Sequence, residues 1–168
     1  MRLNVLLFLA LASCSKQIGV DEMKALNVTS QAFANNDMIP ARYTCDGVNV
    51  NPPLRIDGIP KEAQSLVLIV DDPDAPMGTW DHWIVFDILP KASIDENSIP
   101  GTEGLNSLKN NSYHGPCPPS GTHRYFFKVF ALDQRIGLGK SATKRDVESA
   151  IQGHVVAKGQ LVGKYRRA

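Results

Sequence analysis

Three apolar runs of strand length dominate the chain. The run 65–70, SLVLIV, is β-branched and nearly uninterrupted, which predicts a strand covered on both faces. The runs 82–89, HWIVFDIL, and 124–132, RYFFKVFAL, predict two more, the latter with aromatics on both faces. Weaker strands are expected between Leu26 and Phe33 and around Leu54, and the segment from Gly159 to Tyr165 alternates as a strand does. Thr143 followed by Asp146 has the form of a capping box, and Val147, Ala150, Ile151 and Val155 recur at helical spacing. A helix is therefore predicted to run on past His154, which falls on its surface. The stretch 94–111 holds Pro100, two glycines and many polar residues, and reads as a long loop with a short strand at most. Strands with a single late helix predict a β-sandwich with minor helical content.

Prolines punctuate this pattern in clusters: Pro52-Pro53, Pro73 with Pro76, and Pro116 with Pro118-Pro119. Proline fixes φ and removes a donor, so the clusters mark rigid loops between strands. No internal repeat or low-complexity tract interrupts the chain.

The first residues follow a different logic. Met1-Arg2 is positive, Leu3 to Leu11 is apolar apart from Asn4, and Ala12-Ser13-Cys14 is small. The apolar zone is shorter than the roughly 20 residues that span a bilayer and has the three zones of a secretory signal. Leu11-Ala12-Ser13-Cys14 resembles the lipobox of bacterial lipoproteins, which implies a lipidated Cys14 as the first mature residue. Residues 1–13 are thus read as a lipoprotein signal peptide, 14–25 as a polar tether and 26–168 as one domain. Ser15-Lys16 follow Cys14 with no Asp beside it, which favours the outer membrane if the host has two. The expected location is exported, membrane-anchored through Cys14 and facing the periplasm.

At 168 residues the chain suits one domain that buries its own core. A net charge of +1 gives no global basic field, so nucleic acid is not an expected partner, and Lys164, Arg166 and Arg167 read as a solvated end. With Cys14 lipidated, two cysteines remain, Cys45 and Cys117. In an oxidising compartment an even pair reads as a disulfide, against the alternative of two separate buried thiols.

Polar chemistry concentrates in two segments. The first is Asp71-Asp72-Pro73-Asp74-Ala75-Pro76, continuing to Trp80-Asp81-His82-Trp83; the second runs from Tyr113-His114-Gly115 through Cys117-Pro118-Pro119-Ser120 to His123-Arg124-Tyr125. Each is a proline-stiffened loop with a histidine at the mouth of an apolar strand. That arrangement lets two imidazoles meet at one end of a sheet, with carboxylates setting their orientation.

These residues, supported by Tyr43-Thr44-Cys45-Asp46-Gly47 and Pro52-Pro53-Leu54, resemble the phosphatidylethanolamine-binding protein family, in particular its bacterial Raf-kinase-inhibitor-like branch. The matches fall in the family's order from about residue 26 to 165. The resemblance implies a mainly β fold, a large antiparallel sheet packed on a smaller one with one or two late helices. It also implies a pocket for phosphate, acetate or a phospholipid head group. By matching position that pocket would comprise Asp72, Ala75, Pro76, Trp80, His82, Gly115, Cys117, Pro118, Pro119, His123 and Tyr125. His82 and His123 would donate to the anion, Asp72 would orient, and backbone N–H groups around Gly115 would add a small nest. Arg124 is expected on the opposite strand face. Met77-Gly78-Thr79 departs from eukaryotic relatives, which carry an aromatic before the Trp and His; this points away from kinase inhibition.

Plainer readings stand beside these. Asp74 is expected to hold a turn, and a cis bond at Pro76 is one way to form it. Two histidines and a carboxylate also spell a metal triad, but ligand pairs at helical spacing are lacking. Ser120, three residues before His123, lacks the elbow and oxyanion signature of a nucleophile. The leading expectation is non-catalytic binding of an anionic small molecule or head group, with no cofactor. The alternatives are a protein-docking inhibitor of a kinase or serine protease, and a weak metal-dependent enzyme.

Overall fold

The computed structural model describes residues 23–167. The predicted signal peptide, Cys14 and most of the tether lie outside the described residues. In chain order the strands are β1 Lys24–Ala25, β2 Asn27–Thr29, β3 Asp37–Met38, β4 Leu54–Asp57, β5 Ser65–Asp72, β6 Trp80–Ile88, β7 Ser93–Ile94, β8 Thr102–Glu103, β9 His123–Leu132 and β10 Val155–Tyr165, with helix α1 at Lys144–Ala150. The sheet begins two residues ahead of the predicted boundary, because Lys24 and Ala25 already pair with Ala157 and Lys158.

The large sheet has the order β1-β10-β9-β5-β6-β8, with β3 also paired to β10. Its centre is antiparallel, as expected. At the edge, however, β1 and β3 both join β10 in parallel, so the sheet is mixed. The smaller sheet, β2-β4-β7, is antiparallel.

Both faces of the large sheet are covered at its centre, which is why the run 65–70 lacks polar alternation. Leu66, Leu68 and Val70 face the smaller sheet, sharing a core with Val28, Leu54, Ile56, Trp83 and Phe127. Val67 and Ile69 face the other way and pack with Ile84, Phe86, Val147 and Ile151 beneath α1. All eight residues of β5 are buried.

The predicted cap at Thr143 is present, with its side chain and that of Asp146 each accepting from the other's backbone N–H. The helix stops earlier than its periodicity implied. Gly153 has φ +78° and turns the chain, so Val155 opens β10 and His154 sits in the turn, its Nδ1 3.0 Å from Asp133 Oδ1. Val155 still packs at the margin of the core that Val147 and Ile151 fill. A shared hydrophobic destination, reached through two kinds of element, imitated one helical stripe.

Glycines on β10 let the N-terminal segment cross the sheet closely. A Cβ on Gly163 would stand 2.5 Å from Ile39 Cγ1 and 2.8 Å from Phe33 Cε2, inside a filled core. Gly163→Val should therefore lower unfolding free energy by about 1–3 kcal/mol, since overpacked cores relax poorly. Urea titration checks this: the midpoint should fall with an unchanged slope, and a midpoint equal to wild type would show that the segment can yield.

Candidate functional site

Three neighbouring strands deliver the predicted polar residues to one end of the large sheet. Asp72 ends β5, His123 begins β9, and His82 lies near the start of β6. His82 gets there through a bulge. Val70 pairs with Trp83 and Asp71 with Asp81, which leaves His82 as the extra residue of β6. Trp83 joins the core facing the smaller sheet, while Asp81 sits near Asp71 on the opposite face, both bonded by Lys144. The bulge therefore aims His82 to the same side as Trp83, where Asp72 and His123 also point.

The recess they form has a volume of about 450 Å³. Of the predicted residues, Asp72, Ala75, Pro76, Trp80, His82, Cys117, Pro119 and His123 line it. Met77, Gly78, Thr79 and His114 line it as well. Gly115, Pro118 and Tyr125 do not reach its wall. Pro118 is buried behind its neighbours. Gly115 packs under the loop at Tyr43, where a Cβ would lie 2.4 Å from the Tyr43 carbonyl oxygen, and its N–H donates to Asn49 Oδ1 at 2.7 Å. The Gly115 N–H is thus already used and contributes nothing to the expected anion nest; Gly115 answers a packing need. Tyr125 is fully buried with its ring edge-on to His82 at 5.2 Å, supporting the recess from beneath.

Each imidazole is fixed through Nδ1. His123 Nδ1 is 2.7 Å from Asp72 Oδ2, and Asp72 Oδ1 accepts from the Asp74 N–H at 2.8 Å. Asp72 is consequently an orienting group with both oxygens engaged. His82 Nδ1 donates to the His114 carbonyl at 2.6 Å, while the His114 N–H donates back to the His82 carbonyl. The two rings stack in parallel with centroids 5.8 Å apart. Both Nε2 atoms are left without a protein partner and accessible on the recess side. His114 carried only a weak sequence signal, a histidine adjoining a matched glycine, because its chief role runs through backbone atoms.

The supporting loops are stiff. Asp74 takes the Arg124 guanidinium through both oxygens, at 2.9 and 2.6 Å, and the Arg124 N–H at 2.9 Å. The Arg124 hydrogen bonds hold the Asp74 carboxyl down to about 2. Asp74 is therefore structural, and Arg124 points away from the recess, both as expected. No cis peptide occurs among the described residues, so the turn at Pro76 forms without one. Cys45 and Cys117 form a disulfide across a sequence separation of 72 residues. On the chain-entropy account such a closure contributes about 4 kcal/mol, and here it clamps one wall of the recess to the loop after Tyr43.

Burial sets the electrostatics. His82 is 3% exposed, and desolvation pushes its pKa below the ordinary imidazole value against the pull of the His114 carbonyl. Burial lowers His114 as well. Among the described residues no lysine or arginine lines the recess, so the positive charge these residues can supply there comes from protonation of imidazole. Among the described residues no group of three or more His, Cys, Asp or Glu side chains is placed to hold a metal ion.

The depressed value has a definite sign in stability. As pH falls through about 6.5 the unfolded chain binds a proton at His82 before the folded one does, so folding stability present above that pH is progressively lost. Urea unfolding between about pH 7.5 and 5 should show this loss, and His82→Gln should make it shallower. Identical slopes would mean that His82 is not held neutral by burial.

Comparison with known proteins agrees with this architecture. Residues 29–166 match the family model described as phosphatidylethanolamine-binding protein. A UPF0098 protein of Methanothermobacter thermautotrophicus is 47% identical over 150 residues, covering 84% of this chain and 99% of the relative. A crystal structure of a putative phosphatidylethanolamine-binding protein homologue from Chlamydia trachomatis superposes with a TM-score of 0.83 at 40% identity, covering 86% of this chain and 99% of that one. YbcL of Escherichia coli, described as a member of the mammalian family, gives 0.79 at 25% identity, with 85% and 99% covered. With its two-sheet fold, its paired histidines and a family match over most of its length, the chain belongs to the phosphatidylethanolamine-binding protein family.

Proposed function

We propose that this protein is an exported lipoprotein, tethered through lipidated Cys14, whose recess binds an anionic, phosphate-like group without turning it over. One observation carries the reading: two imidazoles with committed Nδ1 atoms present both Nε2 atoms to a single recess in which, among the described residues, no carboxylate oxygen is free. A neutral ring fixed this way offers Nε2 as an acceptor, whereas an imidazolium offers a charge-assisted donor. The ligand must then bring a proton, as a P–OH group does, or binding must draw one from solvent. The volume admits an organic substituent beyond the anion. Trp80, 36% exposed at the lip, supplies an aromatic face for an ammonium such as that of phosphoethanolamine. Binding should strengthen as pH falls toward the imidazole range, at the expense of fold stability.

Thermal unfolding with inorganic phosphate and with phosphoethanolamine tests the site. Saturating ligand should raise the melting temperature by roughly 5–10 °C. His82→Ala and His123→Ala should each weaken binding about tenfold or more, through loss of a charge-assisted bond. Affinity should decline from about pH 5.5 to 8. Binding untouched by both substitutions would remove this recess from consideration, and a flat pH profile would exclude imidazolium donors.

Export is supported by the leader pattern of residues 1–14 and by the disulfide, which persists in oxidising compartments. In this reading the protein faces the periplasm, on the outer membrane if the host has two, and its partners are the anionic ligand and the bilayer. Labelled palmitate fed to expressing cells should enter the wild-type protein and be absent from Cys14→Ala. Label retained by that variant would place lipidation elsewhere or refute it.

A further inference from the structure

The outer face of β9 and β10 carries a row of basic and aromatic side chains. On β9, Tyr125, Phe127 and Val129 point into the core facing the smaller sheet, so Arg124, Phe126, Lys128 and Phe130 point outward. On β10, Ala157, Leu161 and Tyr165 point inward, so Lys158, Gln160, Val162 and Lys164 share that outer face. Register sets them in facing pairs: Phe130 with Lys158, Lys128 with Gln160, Phe126 with Val162, and Arg124 with Lys164. The result is a surface of four cations interleaved with two half-buried aromatic rings. The Arg124 and Lys128 side chains both lie over Phe126, at 5.7 and 5.5 Å from its ring centre.

Carboxylates answer only part of this charge. Asp74 pairs with Arg124, and the buried Asp71 pairs with Lys128 and Lys144. Lys158 and Lys164 have no carboxylate partner among the described residues. A shallow cleft of about 450 Å³ opens between Lys128, Phe130, Lys158 and Gln160. Helix α1 covers the same side of the sheet over β5 and β6, and Phe130 packs at the margin of the core beneath it while remaining half-exposed.

We propose that this face docks on the anionic headgroup layer of a bilayer. Its position relative to the N-terminus selects that occupant. The chain enters the fold at β1, beside β10, with Ala25 opposite Lys158. Eight residues separate Cys14 from Met23, a reach of at most about 30 Å. A domain held on so short a lead keeps this edge of the sheet close to the membrane. Lysines near an anionic surface are attracted within a Debye length, and half-buried aromatic rings suit the interfacial zone. Orientation is the outcome: the recess histidines lie on the opposite face of the sheet and are turned away from the supporting bilayer. The orientation of the face rests on the tethered-lipoprotein reading, whereas attraction between the face and anionic lipid does not require lipidation.

The test uses the full chain carrying Cys14→Ser, made without lipidation, so that failure of the tether and failure of the face are separable. Sedimentation with vesicles of phosphatidylglycerol and phosphatidylcholine should show binding that pure phosphatidylcholine vesicles lack and that added salt abolishes. Lys158→Ala with Lys164→Ala should weaken it by about tenfold or more, at an unchanged melting temperature, since both side chains lie outside the core. Equal binding to neutral and anionic vesicles, no binding, or indifference to the lysine pair would overturn the proposal. So would loss of vesicle binding in His82→Ala with His123→Ala, which would assign headgroup capture to the recess. Binding of heparin or single-stranded DNA without binding of vesicles would also overturn it, by reassigning the face.

Discussion

The unpaired place of His82 in β6 is the constraint from which the site follows. In a regular strand, neighbours alternate between faces, and His82 beside Trp83 would point away from the core that Trp83 fills. Because one residue of β5 is matched by two of β6 there, both side chains lie on one side. Only that displacement brings His82 into register with Asp72 on β5 and His123 on β9. The exchange of hydrogen bonds between His82 and His114 then closes the arrangement, since it satisfies backbone atoms that the bulge frees from the ladder.

The two faces of the sheet carry opposite electrostatic solutions. On the side of α1, Asp71 is fully buried and is neutralised by two lysines, while Lys144 reaches on to Asp81. One Asp71 oxygen remains without a partner, a desolvation penalty of about 1–3 kcal/mol that the paired oxygen must offset. On the recess side no lysine or arginine is among the described lining residues. Charge there is conditional, arriving with a proton on an imidazole whose burial disfavours it. A fixed arginine would carry its charge at any pH; in the proposed reading, a buried His82 becomes cationic only with ligands or conditions that supply the proton.

Much of this was legible in the sequence, and the failures have identifiable causes. The three long strands follow their apolar runs because a β5 residue on either face meets hydrocarbon. The Thr143 cap was legible because its chemistry is local. The parallel edge strands β1 and β3 were not, since two-residue pairings leave no periodic trace and depend on where β10 lies. Asp72, His82 and His123 come together as expected because the contacts that place them are made by their side chains, whose types the sequence displays. Gly115 and Tyr125 were misjudged as wall residues because a motif records that a position matters without recording which way it faces. His114 acts through its carbonyl and N–H, and almost any residue could supply those atoms, so no residue type announces the role.

Rigidity links the recess to the rest of the fold. A recess with no fixed cation among its described lining residues has little electrostatic attraction to spare for ordering loops, so the proposed site needs its geometry to exist beforehand. Asp74 with Arg124 braces the first loop, the Cys45–Cys117 bond braces the second, and prolines remove freedom from both. Their effect falls partly on the unfolded chain, whose freedom is reduced by the cross-link and the fixed φ angles. The same brace that holds Asp74 turns Arg124 outward onto Phe126, at the end of the basic face of β9 and β10. One ion pair thus stiffens the recess on one side of the sheet and sets the border of the charged surface on the other, so the two regions share a support while facing opposite ways.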